Sequence, residues 1–448
     1  MSASAGIFVL LFLLGCGLAL VRHPVFGVMT YVLLFYVSPA DRWWGQGALE
    51  GMRWALAAAL ITAMSIAIHR PVRPAIPFAK QPLVWGFAAF TGWVAIQSFW
   101  ALDQESHSDL LSYYLKYIVA MYLIYRSLDS ETSIQRLLWA HVAGCTYLAW
   151  LAYTTHAGGR FDSFGGAGIG EANSGALTIT TGILAAASLF LVGAKWSRVA
   201  VLGAMPLLVN AVVATISRSG FLAFGVAGLT YNLFAPKRYS KWVRVLSVVG
   251  LGLFLILTNP DYWERIRSLE HLGEQVEGVD TGSKRLVLIQ AQFEMSRRFP
   301  QGCGSRCTDV LSTEYLDPRQ LTHRPGEEPS RSSHNTFMTM LVDHGIPGAV
   351  AYALMTFWML LALRQLRKVY MGEQGFMATM LPAVAGSLIA ITIGDLFVQY
   401  PKLEVRFWLL TLVMTMSSMA SVRRLETLTV KPEPENLGET RPIGGSAT

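Results

Sequence analysis

The chain has 448 residues, 53% of them hydrophobic and 15% charged, with a mean hydropathy of +0.41 and a formal net charge of +7. Soluble domains carry about 25% charged residues, so this composition excludes an ordinary soluble domain and indicates lipid as the solvent. The positive balance is spread over short loops between apolar runs, which makes it a report of topology and no argument for nucleic acid.

A hydrocarbon core of ~30 Å takes about 20 apolar residues per helix. Runs of this kind fall at 5–21, 25–40, 52–68, 82–99, 110–127, 134–154, 173–194, 198–215, 218–234, 243–258, 336–363, 376–396 and 405–421. They predict an all-α polytopic membrane protein of 12 or 13 spans; the short second run and the tight pair at 198–234 leave both counts open. Leu13-Leu14-Gly15-Cys16 mimics a lipobox, yet no basic residue precedes the first run. A secretory signal needs that positive region, so the run is read as an uncleaved span. Basic clusters at Arg70/Arg73/Lys80, Arg126/Arg136, Lys195/Arg198, Lys237/Arg238/Lys241/Arg244, Arg364/Arg367/Lys368 and Arg423/Arg424 alternate with loops that lack them. By the positive-inside rule the clusters are cytoplasmic. Residues 259–335 are then a large extracytoplasmic loop. The chain divides into N-terminal spans (1–258), this loop (259–335), C-terminal spans (336–422) and a polar, Pro- and Gly-containing tail (423–448) expected to be disordered.

Lys116 and His141 fall within spans, where an interhelical hydrogen bond accounts for either as well as chemistry does. Two polar knots follow on the extracytoplasmic side. The first is Gly158-Gly159-Arg160-Phe161-Asp162-Ser163-Phe164-Gly165-Gly166, leading through Glu171-Ala172-Asn173-Ser174 into a span. The second, Thr215-Ile216-Ser217-Arg218-Ser219-Gly220, joins two spans with almost no loop. An arginine at membrane depth is costly unless it snorkels, pairs or faces a wet cavity; Arg218 is therefore either an interfacial anchor or part of a site.

The large loop holds ten basic against twelve acidic residues, so bulk charge does not make it an anion site. Residues 282–300 read as an amphipathic helix with Leu286, Ile289, Phe293 and Met295 near helical spacing. Lys284 and Arg285 fall in its first turn, where free N–H groups and the helix dipole favour an anion. An arginine fork matches phosphate oxygens, and Arg265 and Arg285 are the candidates; the alternative is surface pairing with Glu264, Glu270 or Glu294. Cys303 and Cys307 permit a short disulfide in an oxidising compartment. A structural zinc wants four ligands, and only the distant His323 and His334 stand beside these cysteines. Cys16 and Cys145 lie in spans as small packing residues.

The loop closes with Arg331-Ser332-Ser333-His334-Asn335-Thr336-Phe337, an imidazole where the chain re-enters the bilayer. A neutral imidazole near pH 7 is suited to general-base work; the alternative is a helix cap. His344 lies almost three turns further on, and its Asp343-His344-Gly345-Ile346-Pro347-Gly348 setting reads as helix packing with a kink at Pro347.

The order of these motifs over about residues 155–350 resembles the O-antigen ligase and polymerase superfamily of bacterial inner-membrane glycosyltransferases. The resemblance implies a GT-C-like helical fold with one large, partly helical periplasmic loop. It implies transfer of a glycan from undecaprenyl pyrophosphate to lipid A–core oligosaccharide, without metal or other cofactor, and with inversion. Carried onto this chain, it makes His334 the base and Arg218 a pyrophosphate ligand, with Arg265, Arg285 and Arg160 as looser candidates. No Asp-x-Asp occurs in the sequence, which accords with arginines balancing the leaving group's charge. A polymerase or a protein O-oligosaccharyltransferase would share the donor. A transporter would place polar residues at mid-bilayer in broken helices, often with internal repeats, and that pattern is not seen.

Overall fold

The computed structural model describes residues 2–47, 49–156, 158–166, 168–258, 262–263, 283–322 and 328–429. Ten helices precede the large loop: α1 (Ala3–Val21), α2 (Val25–Val37), α3 (Trp54–His69), α4 (Pro82–Gln97), α5 (Gln104–Ser127), α6 (Glu131–Thr155), α7 (Ala172–Val192), α8 (Lys195–Ala214), α9 (Arg218–Phe234) and α10 (Ser240–Leu257). The loop carries α11 (Ser283–Arg298) and α12 (Cys307–Tyr315), and α13 (Thr336–Tyr370), α14 (Phe376–Gly394) and α15 (Glu404–Thr429) follow. Every apolar run predicted from sequence is helical. Among the described residues seven helices, α1, α7, α8, α10, α13, α14 and α15 as far as Val422, are long and apolar enough to cross a membrane. The protein is therefore a multi-pass helical membrane protein, helices being the structures that satisfy most of their backbone polar groups internally in lipid.

Local chemistry sets the helix starts. Pro82 occupies the first turn of α4, where its missing N–H costs nothing. Asp103, Ser217 and Asn335 cap α5, α9 and α13 through their side chains, and Ser130 with Ser133 forms a capping box on α6. The span windows of α7 and α14 are 78% and 83% buried, against 22% for α1 and 11% for α10. The first pair is therefore the centre of the bundle and the second its rim. Across the core, His141 joins α6 to α2 and α7: it accepts from the Tyr36 hydroxyl at 2.6 Å and donates to Thr181 Oγ at 2.9 Å. Of the two readings left open for His141, these bonds fit the interhelical one. Lys116 lies over the Tyr113 ring one turn back on α5, 5.2 Å from the centroid. A cavity of about 970 Å³ opens between α2, α3 and α5.

Helix junctions at one end of the bundle are stitched to one another. Arg42, after α2, donates to the Phe164 carbonyl in the Gly-rich loop, and Gly166 N donates to Asp41. Phe161 N donates to Ala214 O at the end of α8. The junction of α4 and α5 holds the loop domain: Leu102 N and Trp100 Nε1 donate to the carbonyls of Cys303 and Gly302, and Gln97 Nε2 to that of Gln301. At the opposite end, His23 meets Asp129 and Arg238 meets Gln374.

The loop domain docks onto α13 through backbone contact at the expected kink. α13 breaks at Gly345 (φ 67), two residues before Pro347. At the break, Ile346 N donates to Pro300 O and Gly304 N donates to Asp343 O, both at 2.9 Å. A Cβ on Gly345 would lie 2.3 Å from the Gln301 carbonyl carbon. Cys303 and Cys307 are joined in a disulfide beside this contact, which resolves the open reading of that pair. His344 is fully buried and bonds Gln97 through Nδ1 at 2.8 Å, a packing role as expected. The anticipated apolar face of α11 is revised. Leu286 and Phe293 are exposed, while Leu288, Ala291 and Met295 pack against Leu311 and the disulfide. The reason is register: docking by the disulfide strap selects the face one to two residues round from the one periodicity favoured.

Gly345→Ala should lower the thermal unfolding midpoint of the detergent-solubilised protein. A non-glycine residue held at this φ costs about 1–3 kcal/mol before any clash is counted. Gly372→Ala, which meets open space, should leave the midpoint in place; equal behaviour of the two variants contradicts the docking account.

Candidate active site

The stitched end of the bundle brings the predicted residues onto neighbouring segments. Ser217 caps α9 by accepting from Gly220 N at 2.9 Å and donates to Asn173 Oδ1 at 2.7 Å. Arg218, the first residue of α9, is half-buried beside that cap. Arg160, exposed in the Gly-rich loop, donates to the same Asn173 oxygen at 3.2 Å. The two polar knots read separately from sequence are thus one, with Asn173 as the link.

The His334 segment is held from both sides. On the loop-domain side Ser332 donates to Asp309 of α12 at 2.7 Å, and Gln292 of α11 donates to Ser333 Oγ at 2.7 Å. On the other side it binds the connection between α14 and α15, residues 395–403. Ser333 N donates to Gln399 Oε1, and Asn335 Nδ2 to Leu396 O, both at 3.2 Å. Thr336 N donates to Asp395 O at 2.7 Å and Thr336 Oγ to Val398 O at 2.6 Å. His334 itself is half-buried with φ 50. Ile216, two residues before Arg218, has φ 41. Left-handed backbone is uncommon outside glycine and unfavourable for a β-branched residue. Such residues persist only where surrounding contacts over-determine them, at about 1–3 kcal/mol each. The Arg218 junction and the His334 segment therefore both carry built-in backbone strain.

The 395–403 connection also reaches the remaining candidates. Arg285 lies over the Phe397 ring, 6.0 Å from its centroid. Tyr400 lies near Ser174 at the start of α7, and its N–H donates to Thr336 Oγ at 3.0 Å. Burial pushes the Tyr400 phenol up to about 12. Arg265 lies outside the described residues, as does His323. Elsewhere in the loop domain, Arg298 bridges Glu314 at 2.6 Å.

Sequence reasoning passed over this connection and its anchor. Arg406 of α15 donates to Asp395 Oδ1 at 2.5 Å and to the Tyr352 hydroxyl at 2.8 Å, and Tyr352 in turn donates to Asp395. All three are buried. Burial raises the Asp395 carboxyl, against Arg406, Tyr352 and Thr336, which favour its anion. Glu404 and Arg406 opening an apolar run were the available signal, since an arginine inside a span needs a partner.

Fold and site together define a class: a multi-pass helical membrane protein with arginines and a strained histidine gathered at one end of its bundle. Residues 203–353 match the family model described as O-antigen ligase. The match includes Arg218, Arg285 and His334, and so covers one of the two polar junctions and the end of the large loop. The Gly-rich loop and Asn173 precede the matched stretch. Comparison with curated proteins finds no match.

Arg406→Met leaves Asp395 buried without its cation and should cost about 3–5 kcal/mol of stability, read as a fall in unfolding midpoint. Tyr352→Phe removes one hydrogen bond and should cost roughly 1 kcal/mol. A larger loss for Tyr352→Phe than for Arg406→Met would show that the pair is not the anchor.

Proposed function

We propose that the protein is an O-antigen ligase: a glycosyltransferase that moves O-antigen polysaccharide from undecaprenyl pyrophosphate to lipid A–core oligosaccharide at the periplasmic face of the bacterial inner membrane. The observation that carries this reading is the family match enclosing both Arg218 and His334. Its geometric support is the 395–403 connection, which touches the His334 segment, Arg285 and the start of α7.

In this reading the fold is of the GT-C type and needs no metal. Arg218 and Arg285, with Arg160 and Arg265, balance the charge of the departing pyrophosphate. Fixed cations in a partly desolvated site stabilise such a charge without reorganisation. His334 takes the proton of the acceptor hydroxyl as that oxygen attacks the anomeric carbon and the carbon–pyrophosphate bond breaks. A single displacement inverts the configuration. His334, with its left-handed backbone, is not the residue that caps α13; Asn335 has that role. A polymerase or a protein O-oligosaccharyltransferase would use the same donor side and differ in the acceptor.

His334→Ala should reduce transfer by about 10²–10⁴-fold, the usual contribution of general-base catalysis, while the protein still folds and inserts. Retained transfer would remove the base role. In a strain lacking the gene, build-up of long polymer on undecaprenyl pyrophosphate with bare lipid A–core supports the ligase. Cores capped by a single repeat would indicate a polymerase, and lost protein glycosylation the third activity.

A further inference from the structure

We infer that Asn173 is a substrate-binding residue, whose side-chain NH2 group donates to an anionic phosphate oxygen beside Arg160 and Arg218. The inference rests on the pyrophosphate reading above and adds a ligand that neither the sequence motifs nor the family match supplies.

The partners of the amide fix its orientation. Arg160 has only donors, so the Asn173 atom that it meets at 3.2 Å is the carbonyl oxygen. The Ser217 hydroxyl also reaches that oxygen, at 2.7 Å. Ser217 Oγ already accepts from Gly220 N at 2.9 Å, which leaves its proton for the amide. With Oδ1 engaged from two sides, Nδ2 is directed away from both, and it donates to no group among the described residues. Asn173 is half-buried in the first turn of α7, so this donor is neither sealed in the core nor out in bulk solvent.

The surroundings select the ligand's charge. Arg160 is bonded to the amide itself, Arg218 follows Ser217 in sequence, and α9 begins there with its dipole favouring an anion. Asn173 is thus set in the first turn of one helix and tied to the cap of another. A neutral donor beside a cation adds direction where the cation adds charge, which is the division of labour expected in a phosphate site.

The chemistry of the side chain supplies a test. Asn173→Asp keeps an oxygen for Arg160 and Ser217 but turns the NH2 donor into a second oxygen and adds a negative charge, so Asn173→Ala, which removes the donor without adding charge, is read beside it and must also weaken binding. Asn173→Ala removes both ends. Binding of farnesyl pyrophosphate to the purified full-length protein in detergent provides the readout, with the thermal midpoint of each variant recorded alongside. Asn173→Asp is expected to weaken binding about tenfold or more, the scale of a lost hydrogen bond to a charged group, and at least as much as Asn173→Ala, with its midpoint unchanged. Wild-type affinity in Asn173→Asp with weakened binding in Asn173→Ala would mean that the oxygen alone matters, and would overturn the inference, as would wild-type affinity in both. Failure of the wild-type protein to bind farnesyl pyrophosphate would instead remove the pyrophosphate reading itself, and this assignment with it.

Discussion

The buried ion pair between Asp395 and Arg406 is the constraint on which the site depends. Taking two charges out of water costs several kcal/mol per ion, and only close geometry with further hydrogen bonds repays it. Here the carboxylate receives two arginine-linked donors, Arg406 directly and Tyr352 through its hydroxyl. The pair fixes the start of the 395–403 connection, whose carbonyls and side chains then hold Ser333, Asn335 and Thr336 around His334. A charge pair is weak evidence of stability. Its value here lies in specifying one arrangement of a loop that would otherwise have several.

The second constraint is the docking of the loop domain. Glycine at 302 and 345 lets the two backbones approach closely, and a Cβ on Gly302 would sit 2.5 Å from Asp343 O. The donors of Trp93, Gln97 and Trp100 close the seam from α4 and its end. α11 and α12 are thereby carried to the rim where the His334 segment lies, and Gln292 and Asp309 grip that segment from the side opposite the 395–403 connection. The strain at His334 and Ile216 persists because both segments are clamped in this way.

Much of the fold was legible in the sequence because lipid imposes one rule: apolar runs of sufficient length become helices. The runs, the α11 helix and the packing role of His344 follow from periodicity and composition. The site was legible only as separate pieces. Arg160, Arg218 and His334 stand out as polar residues at span ends, but their relation runs through Asn173, Thr336 and Tyr400, whose types are ordinary for helix starts and loops. Arg406 was visible as a charge in an apolar run; its partner Asp395, eleven residues away across a turn, was not. The kink in α13 was legible from Pro347, since proline is the usual cause of one; the backbone docking at Gly345 beside it was not.

The most direct test of the account is a structure of the full chain in a lipid environment with an undecaprenyl pyrophosphate glycan bound. The account predicts the diphosphate in contact with Arg218 and Arg285, and the His334 imidazole within about 2.6–3.2 Å of the position an attacking hydroxyl would take. A diphosphate seated away from the α9 N-terminus, or an imidazole turned into helix-capping bonds with the donor in place, would contradict it.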